Sequence, residues 1–493
     1  KIREKFVFRN SPIYSFIEPF IIGNSELHVI KGYPIFSAPS HIYPKSWKSH
    51  FLQHLFINLG WYCALILKSA LNLFKTKDKI EKSEILLFSN SRFIDEKGLN
   101  FFFDKINLEF KHLNVKRIFF ATNNPFSIRK NYLSIYIFLN FNLFFKIISY
   151  SNKISKIMER NRYLIKNLFT DDYNYLKQSF DFSFKILPLQ IATYLALTEE
   201  ILNQFNPKAV LAISEAELFT KAMIINSQKR KIKIFTLQFG PIINDFCDIN
   251  PTNDLIPDIK FVEGEQAKRN LIDYYDYPSS KIVVTGSPRY DSYVLKLDLI
   301  NSNQKLVKRK YGFQENDRIM IFFEQGIFEY IDEVCSMFEE VTKRFNLKIL
   351  IKMHPHSLDP ISANKYQQLQ IKNKNVKVIS DVNNQEILSI SNLAVTWNST
   401  VALEVLLAKV PLILVNLHHS FSDVLSYSEE GSALNVFDKE MFVENVGILL
   451  NDSKRINKML DCQEKSIKMH AFSNDGQAYK RVAKVILNNL KQY

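Results

Sequence analysis

NLAVTWNSTVALEVLLAKVPLILV, residues 392–415, reads as strand, helix and strand. Leu393 to Thr396 is a short apolar run rich in β-branched residues, and Pro411 to Val415 is another. Between them Asn398, Ser399 and Thr400 are residue types that cap helices, and Val401 to Ala408 follows as an apolar helix. The same alternation extends upstream through the runs Ile319 to Phe323, Lys348 to Met353 and Val376 to Ile379. Strands that are apolar throughout and separated by helices are buried on both faces, which specifies a parallel sheet in a doubly wound α/β domain. Each run ends in polar residues, at the sheet edge where such folds bind ligands.

A second series precedes this one: Ile85 to Phe88, Arg117 to Phe120, Ala209 to Ile213, Lys233 to Leu237, Lys260 to Val262 and Ile282 to Thr285, with helical patterns over Ile191 to Phe205 and Ala216 to Gln228. The expected organisation is therefore two doubly wound α/β domains. Residues 1–301 form the first, with apolar helical insertions, and 302–317 form a polar linker. Residues 318–474 form the second domain, and 475–493 form a helix that can pack back on the first.

The chain has 493 residues, enough for two or three domains at roughly 150 residues each. Its 46% apolar content excludes wholesale disorder. No uninterrupted apolar run reaches about 18 residues, which excludes a polytopic membrane protein. The formal charge of +14 favours anionic partners, phosphorylated ligands or an acidic membrane face. No basic residues interleave with aromatics as in nucleic-acid modules, so no nucleic-acid partner is expected. Cys63, Cys247, Cys335 and Cys462 lie far apart without metal-ligand spacing, so no metal site is expected and a reducing cytoplasm fits. The chain begins at Lys1 without a secretory leader pattern, which agrees with a cytoplasmic location and a trimmed start.

Two stretches have a double reading. Phe51 to Phe74 and Ser134 to Tyr150 are aromatic and aliphatic nearly all round, with Lys68, Lys75, Lys77, Arg129, Lys130, Lys146 and Lys153 in or beside them. They fit buried helices of a large first domain, and they fit a surface that docks on an anionic inner-membrane face.

The strongest local signal for chemistry is Lys352-Met353-His354-Pro355-His356 at the tip of a parallel strand. There His354 faces the ligand crevice, and Pro355 stiffens the loop that carries it. Asn398, Ser399 and Thr400 present free N–H groups at a helix start, which suits phosphate, and Glu404 one turn on suits ribose hydroxyls. The bland alternative makes Ser399 a cap and Glu404 a solvated side chain. Glu324, with Gln325 and Gly326 after it, ends the first strand of the second domain and is the first choice of general base. Glu215, after Ala209 to Ile213, is the second choice, or else part of a helix start. Gln238 and Gly240 mark a strand-end turn suited to contacting an acceptor. Arg289 follows another strand and can pair with Asp291 or bind a phosphate.

In chain order, LQFG (237–240), FVEGEQAKRNL (261–271), VTGSPRYD (284–291), KMHPH (352–356) and the Asn398-Ser399-Thr400 helix with Glu404 and Pro411 resemble bacterial surface-polysaccharide glycosyltransferases of the GT-B fold. Within that fold the similarity is to the branches with an HP motif and a Ser/Thr motif: sialyl- and Kdo-type transferases and the CDP-glycerol phosphotransferases of teichoic acid synthesis. It covers about residues 210–417. It implies two Rossmann-like domains facing a cleft. The resemblance further implies a cytidine nucleotide-sugar donor, with His354, Pro355, Lys352, Gln325, Gly326, Asn398, Ser399, Thr400 and Glu404 as the residues expected to hold it. It also implies that no cofactor and no metal are needed beyond that substrate, and that the acceptor is a glycan or glycolipid growing at the inner membrane face. Two departures bear on mechanism. Glu324-Gln325-Gly326 keeps only the first of two acidic residues of the sialyltransferase pattern. Phe239 stands where the phosphotransferase pattern has His, which favours sugar transfer over polyol phosphate transfer. A CDP-polyol phosphotransferase of the same fold and a nucleotide-sugar epimerase are the alternatives.

Overall fold

The structure, a computed structural model, describes residues 63–72, 81–163 and 173–491, with strand pairs at 7–8 and 11–12. Positions 96, 121–125, 216, 243–254, 292, 294–302, 326–329, 355–359, 381, 398 and 418–425 are outside that description. Strands β1 (Val7–Phe8) and β2 (Ser11–Pro12) form a small antiparallel pair. Strands β3 (Ile85–Asn90), β4 (Val115–Phe120), β5 (Leu133–Ser134), β6 (Ala209–Ile213), β7 (Lys233–Leu237), β8 (Ile259–Val262) and β9 (Ile282–Val284) make the first large sheet. Strands β10 (Ile319–Phe323), β11 (Lys348–Lys352), β12 (Val376–Ile379), β13 (Leu393–Thr396), β14 (Leu412–Val415) and β15 (Leu434–Val436) make the second.

Every pairing within the two large sheets is parallel. The orders are β5-β4-β3-β6-β7-β8-β9 and β12-β11-β10-β13-β14-β15. Each sheet starts at an inner strand, winds outward one way, then returns to the other side of that strand. The direction reverses between β3 and β6 and between β10 and β13, and crevices open at such switch points.

Burial on both faces follows from the strand period of two. Leu86 and Phe88 join a core with Ile118, Leu143 and Ile147, while Ile85 and Leu87 join another with Phe102, Phe103 and Ile106. In the second sheet Ile319, Ile321 and Phe323 face one core and Met320 and Phe322 the other. Fully burying each such side chain stabilises the fold by about 1.5 to 3 kcal/mol.

Differences from the sequence expectation have identifiable causes. The helix expected over Ile191 to Phe205 is longer than the sequence indicated: it runs over Tyr173–Phe205 and continues through the internal Pro188. The stretch 302–317 carries a helix, Gln304–Lys310, and Val307, Tyr311 and Phe313 are buried in the second domain's core, so it is not a bare linker. The short strands β5 and β15 carry too few residues to show a pattern.

The helix Ala478–Leu490 packs Val482, Ala483 and Ile486 against Ile85, Leu87 and Phe102 of the first domain. Asp291 caps it, accepting from the N–H groups of Ala478 (3.0 Å) and Tyr479 (2.9 Å). The preceding helix, Ser453–Ala471, lies so close to Gly264 that a Cβ there would sit 2.1 Å from Met469 O. Only glycine permits that approach.

The Ser134–Tyr150 stretch forms a short 3₁₀ turn, Ile135–Phe138, and the start of the helix Phe141–Arg160. Ile135, Tyr136, Phe138, Leu143, Phe144, Ile147 and Tyr150 are buried, whereas Phe145 is 64% exposed. Of Phe51 to Phe74 only 63–72 lies within the described residues, as a helix with Leu65 buried and Ile66, Leu67 and Leu71 exposed. Among the described residues no helix is long and apolar enough to cross a membrane.

Candidate active site

The second sheet's switch point gathers three of the sequence-predicted segments. Glu324 leaves β10, whose neighbours are β11 on one side and β13 on the other. Phe323 is in register with both Lys352 and Thr396. The main-chain N–H of Glu324 donates to Lys352 O at 3.0 Å, and Thr396 Oγ1 donates to Phe323 O at 3.5 Å, so the three strand tips are tied together. The Glu324 side chain is 3% exposed, and its Oε2 accepts from the His354 N–H at 3.4 Å. The His354 side chain itself is exposed, and Gln325 and Lys352 are half-buried.

Beyond β13, Ser399 Oγ accepts from the Val401 N–H at 3.3 Å at the start of the helix Val401–Leu407. Ser399 is half-buried and Thr400 exposed. Gly326, Pro355, His356 and Asn398 lie outside the described residues.

Glu404 and Arg289 depart from expectation. Glu404 is buried rather than open to ribose hydroxyls. Its carboxylate receives Arg289 Nη2 at 2.7 Å, Asn384 Nδ2 at 2.8 Å and a short bond from Tyr293 Oη. Arg289 follows β9 of the first domain, so this ion pair joins the two domains. Asp291, the partner expected for Arg289, instead caps the C-terminal helix. The turn after β9 presents Arg289 because Gly286 adopts φ +73°, a conformation that residues with side chains disfavour.

In the first domain the second-choice base is engaged. Glu215 Oε1 pairs with Lys260 Nζ at 2.9 Å with both side chains 1% exposed, and its Oε2 accepts from Thr236 at 3.3 Å and Tyr277 at 3.4 Å. Burial and the neighbouring Glu215 push the Tyr277 phenol well above its usual value, so it stays a neutral donor. Glu215 is corrected from crevice carboxylate to interior ion pair. Gln238 is also used internally: its Nε2 donates to Gly240 O at 2.9 Å, and its Oε1 accepts from the Glu263 N–H at 2.9 Å. Gly240 is the buried acceptor of that turn.

A group that the sequence reading missed lies beside these turns. Arg92, just beyond β3, pairs with Glu217 at 2.7 Å and lies over the rings of Phe93 (4.7 Å) and Phe239 (4.8 Å). Glu217 also accepts from Asn90 at 3.3 Å. Phe101, half exposed, packs near Phe93 and lies 5.9 Å from Arg289. The signal was present in the sequence, since Asn90 to Phe93 follows a strand tip.

With this geometry in hand, solved structures give the fold. UDP-GlcNAc 2-epimerase from Neisseria meningitidis, bound to UDP-GlcNAc, aligns over 83% of this chain and 100% of its own at 15% identity and TM-score 0.53. The wall teichoic acid polymerase TagF, soaked with CDP-glycerol, aligns over 90% and 97% at 11% identity and TM-score 0.50. The fold is GT-B. The neighbours are enzymes that bind nucleotide-activated substrates.

By sequence, the chain is 27% identical over 267 residues to an uncharacterised protein of Methanocaldococcus jannaschii, covering 52% of this chain and 44% of that protein. It is 27% identical over 154 residues to lipid-A-disaccharide synthase 2 of Legionella pneumophila, covering 30% of this chain and 37% of that protein. The chain thus spans less than half the length of the curated relatives it matches. No protein-family profile matches it.

Proposed function

We propose that this GT-B chain is an inverting glycosyltransferase that moves a sugar from a cytidine nucleotide donor to a growing surface glycan. The observation that carries the reading is Glu324, a buried carboxylate at the switch point, hydrogen-bonded by the His354 N–H and flanked by the turn that bears Ser399 and Thr400. Direct displacement at an anomeric carbon needs a base for the acceptor hydroxyl and positive dipoles for the departing phosphate. Glu324 is suited to the first role. His354 and the N–H groups near Ser399 and Thr400 are suited to the second, without a metal.

The acceptor side is assigned to the first domain, where Phe239 and Phe101 offer apolar ring faces and Arg92 and Glu217 offer hydrogen bonds to hydroxyls. Work at the inner membrane face accords with the exposed Ile66, Leu67, Leu71 and Phe145 of the same domain.

The experiment is a melting screen over CMP, CDP, UDP and GDP, followed by product analysis with and without acceptor. A ligand at 100 times its dissociation constant stabilises by about 2.7 kcal/mol, readily seen as a shift. A cytidine preference with acceptor-dependent transfer is expected. Equal shifts for all four nucleotides remove the cytidine assignment. An isomerised nucleotide-sugar formed without acceptor replaces transfer by epimerisation, and release of CMP with polyol phosphate transfer replaces it by the phosphotransferase reaction.

A further inference from the structure

The first sheet has a switch point of its own, between β3 and β6, and an ion pair spans it. Arg92 follows β3 and Glu217 follows β6, and their side chains meet at 2.7 Å across the two strand tips. Ligands of doubly wound sheets enter at such a place. The guanidinium is fixed before any ligand arrives. It lies over Phe93 (4.7 Å) and Phe239 (4.8 Å), whose rings pack edge-on at 4.6 Å, and attraction to the ring faces orients it. Asn90, 7% exposed, steadies both partners: its Oδ1 accepts from the Arg92 main-chain N–H at 3.0 Å, and its Nδ2 donates to Glu217 at 3.3 Å. The Arg92 side chain nevertheless stays 42% exposed, so a preset fork of N–H donors is left partly open to solvent.

An apolar surface adjoins the pair. Phe101, half exposed, meets Phe93 edge-on at 6.3 Å. Arg289, which follows β9, lies 5.9 Å from the Phe101 ring while it pairs with Glu404 of the second domain at 2.7 Å. The patch is therefore on the side of the first domain that meets the second. Its charges are balanced, because Arg92 and Arg289, the described arginines at the tips of this sheet, each already face a carboxylate.

We propose that Arg92 and Glu217 form a subsite for an uncharged sugar residue of the acceptor, with Phe101 against the sugar's apolar face, and that Glu217 is the group that excludes acidic sugars. The inference rests on the reading of the first domain as the acceptor side, and it names the class of acceptor. A pyranose carries C–H groups on its face and hydroxyls around its rim. The C–H face leaves water against an aromatic ring. Adjacent hydroxyls accept from the guanidinium and donate to the carboxylate at once, so a neutral Arg–Glu pair satisfies both without leaving a net charge in the cleft. The carboxylate of an acidic sugar brought to the same place is repelled by Glu217 and competes with it for Arg92. Because Arg92 is already oriented, binding loses little side-chain freedom.

The test is glycan binding by the full chain, without a donor. Labelled protein is applied to an array of glycans with neutral or acidic terminal residues, and binding is titrated with lactose, cellobiose and chitobiose as neutral probes and with sialyllactose and a glucuronic acid-terminated disaccharide as acidic ones. Neutral glycans are expected to bind at least about tenfold better than their acid-terminated counterparts. Phe101→Ala should weaken that binding by about tenfold, and Phe101→Tyr, which keeps an aromatic face, should retain it. Glu217→Gln keeps an acceptor for Asn90 but leaves Arg92 without its counter-charge. It should bind acid-terminated glycans at least about fivefold better than wild type does, and about 0.5 M salt should erase the gain. A pair that only ties β3 to β6 gives no such gain. Circular dichroism and melting on each variant separate lost binding from lost fold, and the exposed Phe101 position keeps the test open if Glu217→Gln unfolds. A wild type that binds no glycan or prefers acidic ones, a Phe101→Ala variant that binds as wild type does, or a folded Glu217→Gln variant of unchanged selectivity overturns the proposal. Failure of the transfer reading appears instead in the nucleotide screen and the product analysis, so the two outcomes are distinguishable.

Discussion

The main-chain N–H of His354 lies 3.4 Å from Glu324 Oε2, across the ends of adjacent parallel strands. The bond ties the buried carboxylate to the tip of the neighbouring strand, and burial together with the charge of Glu324 holds the Tyr366 phenol well above its usual value. Both residues depend on the register that pairs Phe323 with Lys352.

Glu324→Gln keeps size and hydrogen bonding while removing the proton acceptor. Turnover should fall by roughly 100-fold or more, the range that general bases supply, with nucleotide affinity nearly unchanged. Glu215→Gln should behave differently. It leaves Lys260 buried without its counter-charge, and breaking a buried pair costs about 3 to 5 kcal/mol. Denaturant titration and steady-state kinetics on the two variants check the contrast. A stable, inactive Glu215→Gln would return the base to the first domain.

His354→Ala removes an exposed imidazole at the strand tip, so thermal stability should hold within about 1 °C. Loss of its hydrogen bond to a donor phosphate should weaken nucleotide binding by about tenfold, the equivalent of about 1.4 kcal/mol. Isothermal titration with CMP and CDP reads this directly, and unchanged affinity would remove His354 from the donor site.

Much of this arrangement was legible in the sequence because both sheets are buried on two faces, so their strands stand out as short apolar runs. The tips followed from the runs, which is why Glu324, His354 and Ser399 were found at one edge. What was not legible is which polar groups satisfy one another across the chain. Arg289 and Glu404 are 115 positions apart, as separated as any random pair, and only folding reveals that each is the other's partner. Glu215 and Lys260 were hidden similarly. Lys260 lies inside a strand that reads as apolar because its charge is neutralised by a residue from another strand tip.

Phe144 and Phe145 are neighbours with opposite fates, 6% and 64% exposed. Phe144→Ser should destabilise the first domain by about 3 kcal/mol or more, the range for removing a buried aromatic ring. Phe145→Ser should leave stability within about 0.5 kcal/mol. If the first domain rests on an anionic bilayer, Phe145→Ser should also lower binding to phosphatidylglycerol vesicles in a flotation assay. Equal melting losses for both variants would contradict the packing described for this helix.

Burial raises the carboxyl of Glu263, with a consequence for global stability. Its value moves from 4.5 in the unfolded chain to about 8 in the fold, so the folded state binds the proton more tightly. Stability from this group is complete below about 4.5, declines as pH rises, and is fully lost above about 8. Urea titrations at pH 5 to 9 should show wild type losing stability relative to Glu263→Gln over that window and holding a constant offset beyond it. A flat difference would mean that the carboxyl is ionised in the fold.

Asp291 provides a last test, because it links the end of the chain to the first domain without touching the candidate site. Its carboxylate is buried and satisfies two N–H groups at the start of the helix Ala478–Leu490, which has no cap from its own sequence. Asp291→Ala leaves the buried Ala478 N–H and the half-buried Tyr479 N–H without this partner, and loss of a buried partner costs about 1 to 3 kcal/mol. Arg481, whose Nε donates to Thr285 O at 2.7 Å, holds the same helix one turn on, so detachment should be partial. Hydrogen exchange should therefore rise first at residues 478–482, and next at Phe102 and Phe103, which the helix covers. Asp291→Asn, which retains an acceptor oxygen, should recover most of the stability. If Asp291→Ala melts with wild type and residues 478–482 exchange no faster, the helix is held by its apolar face alone.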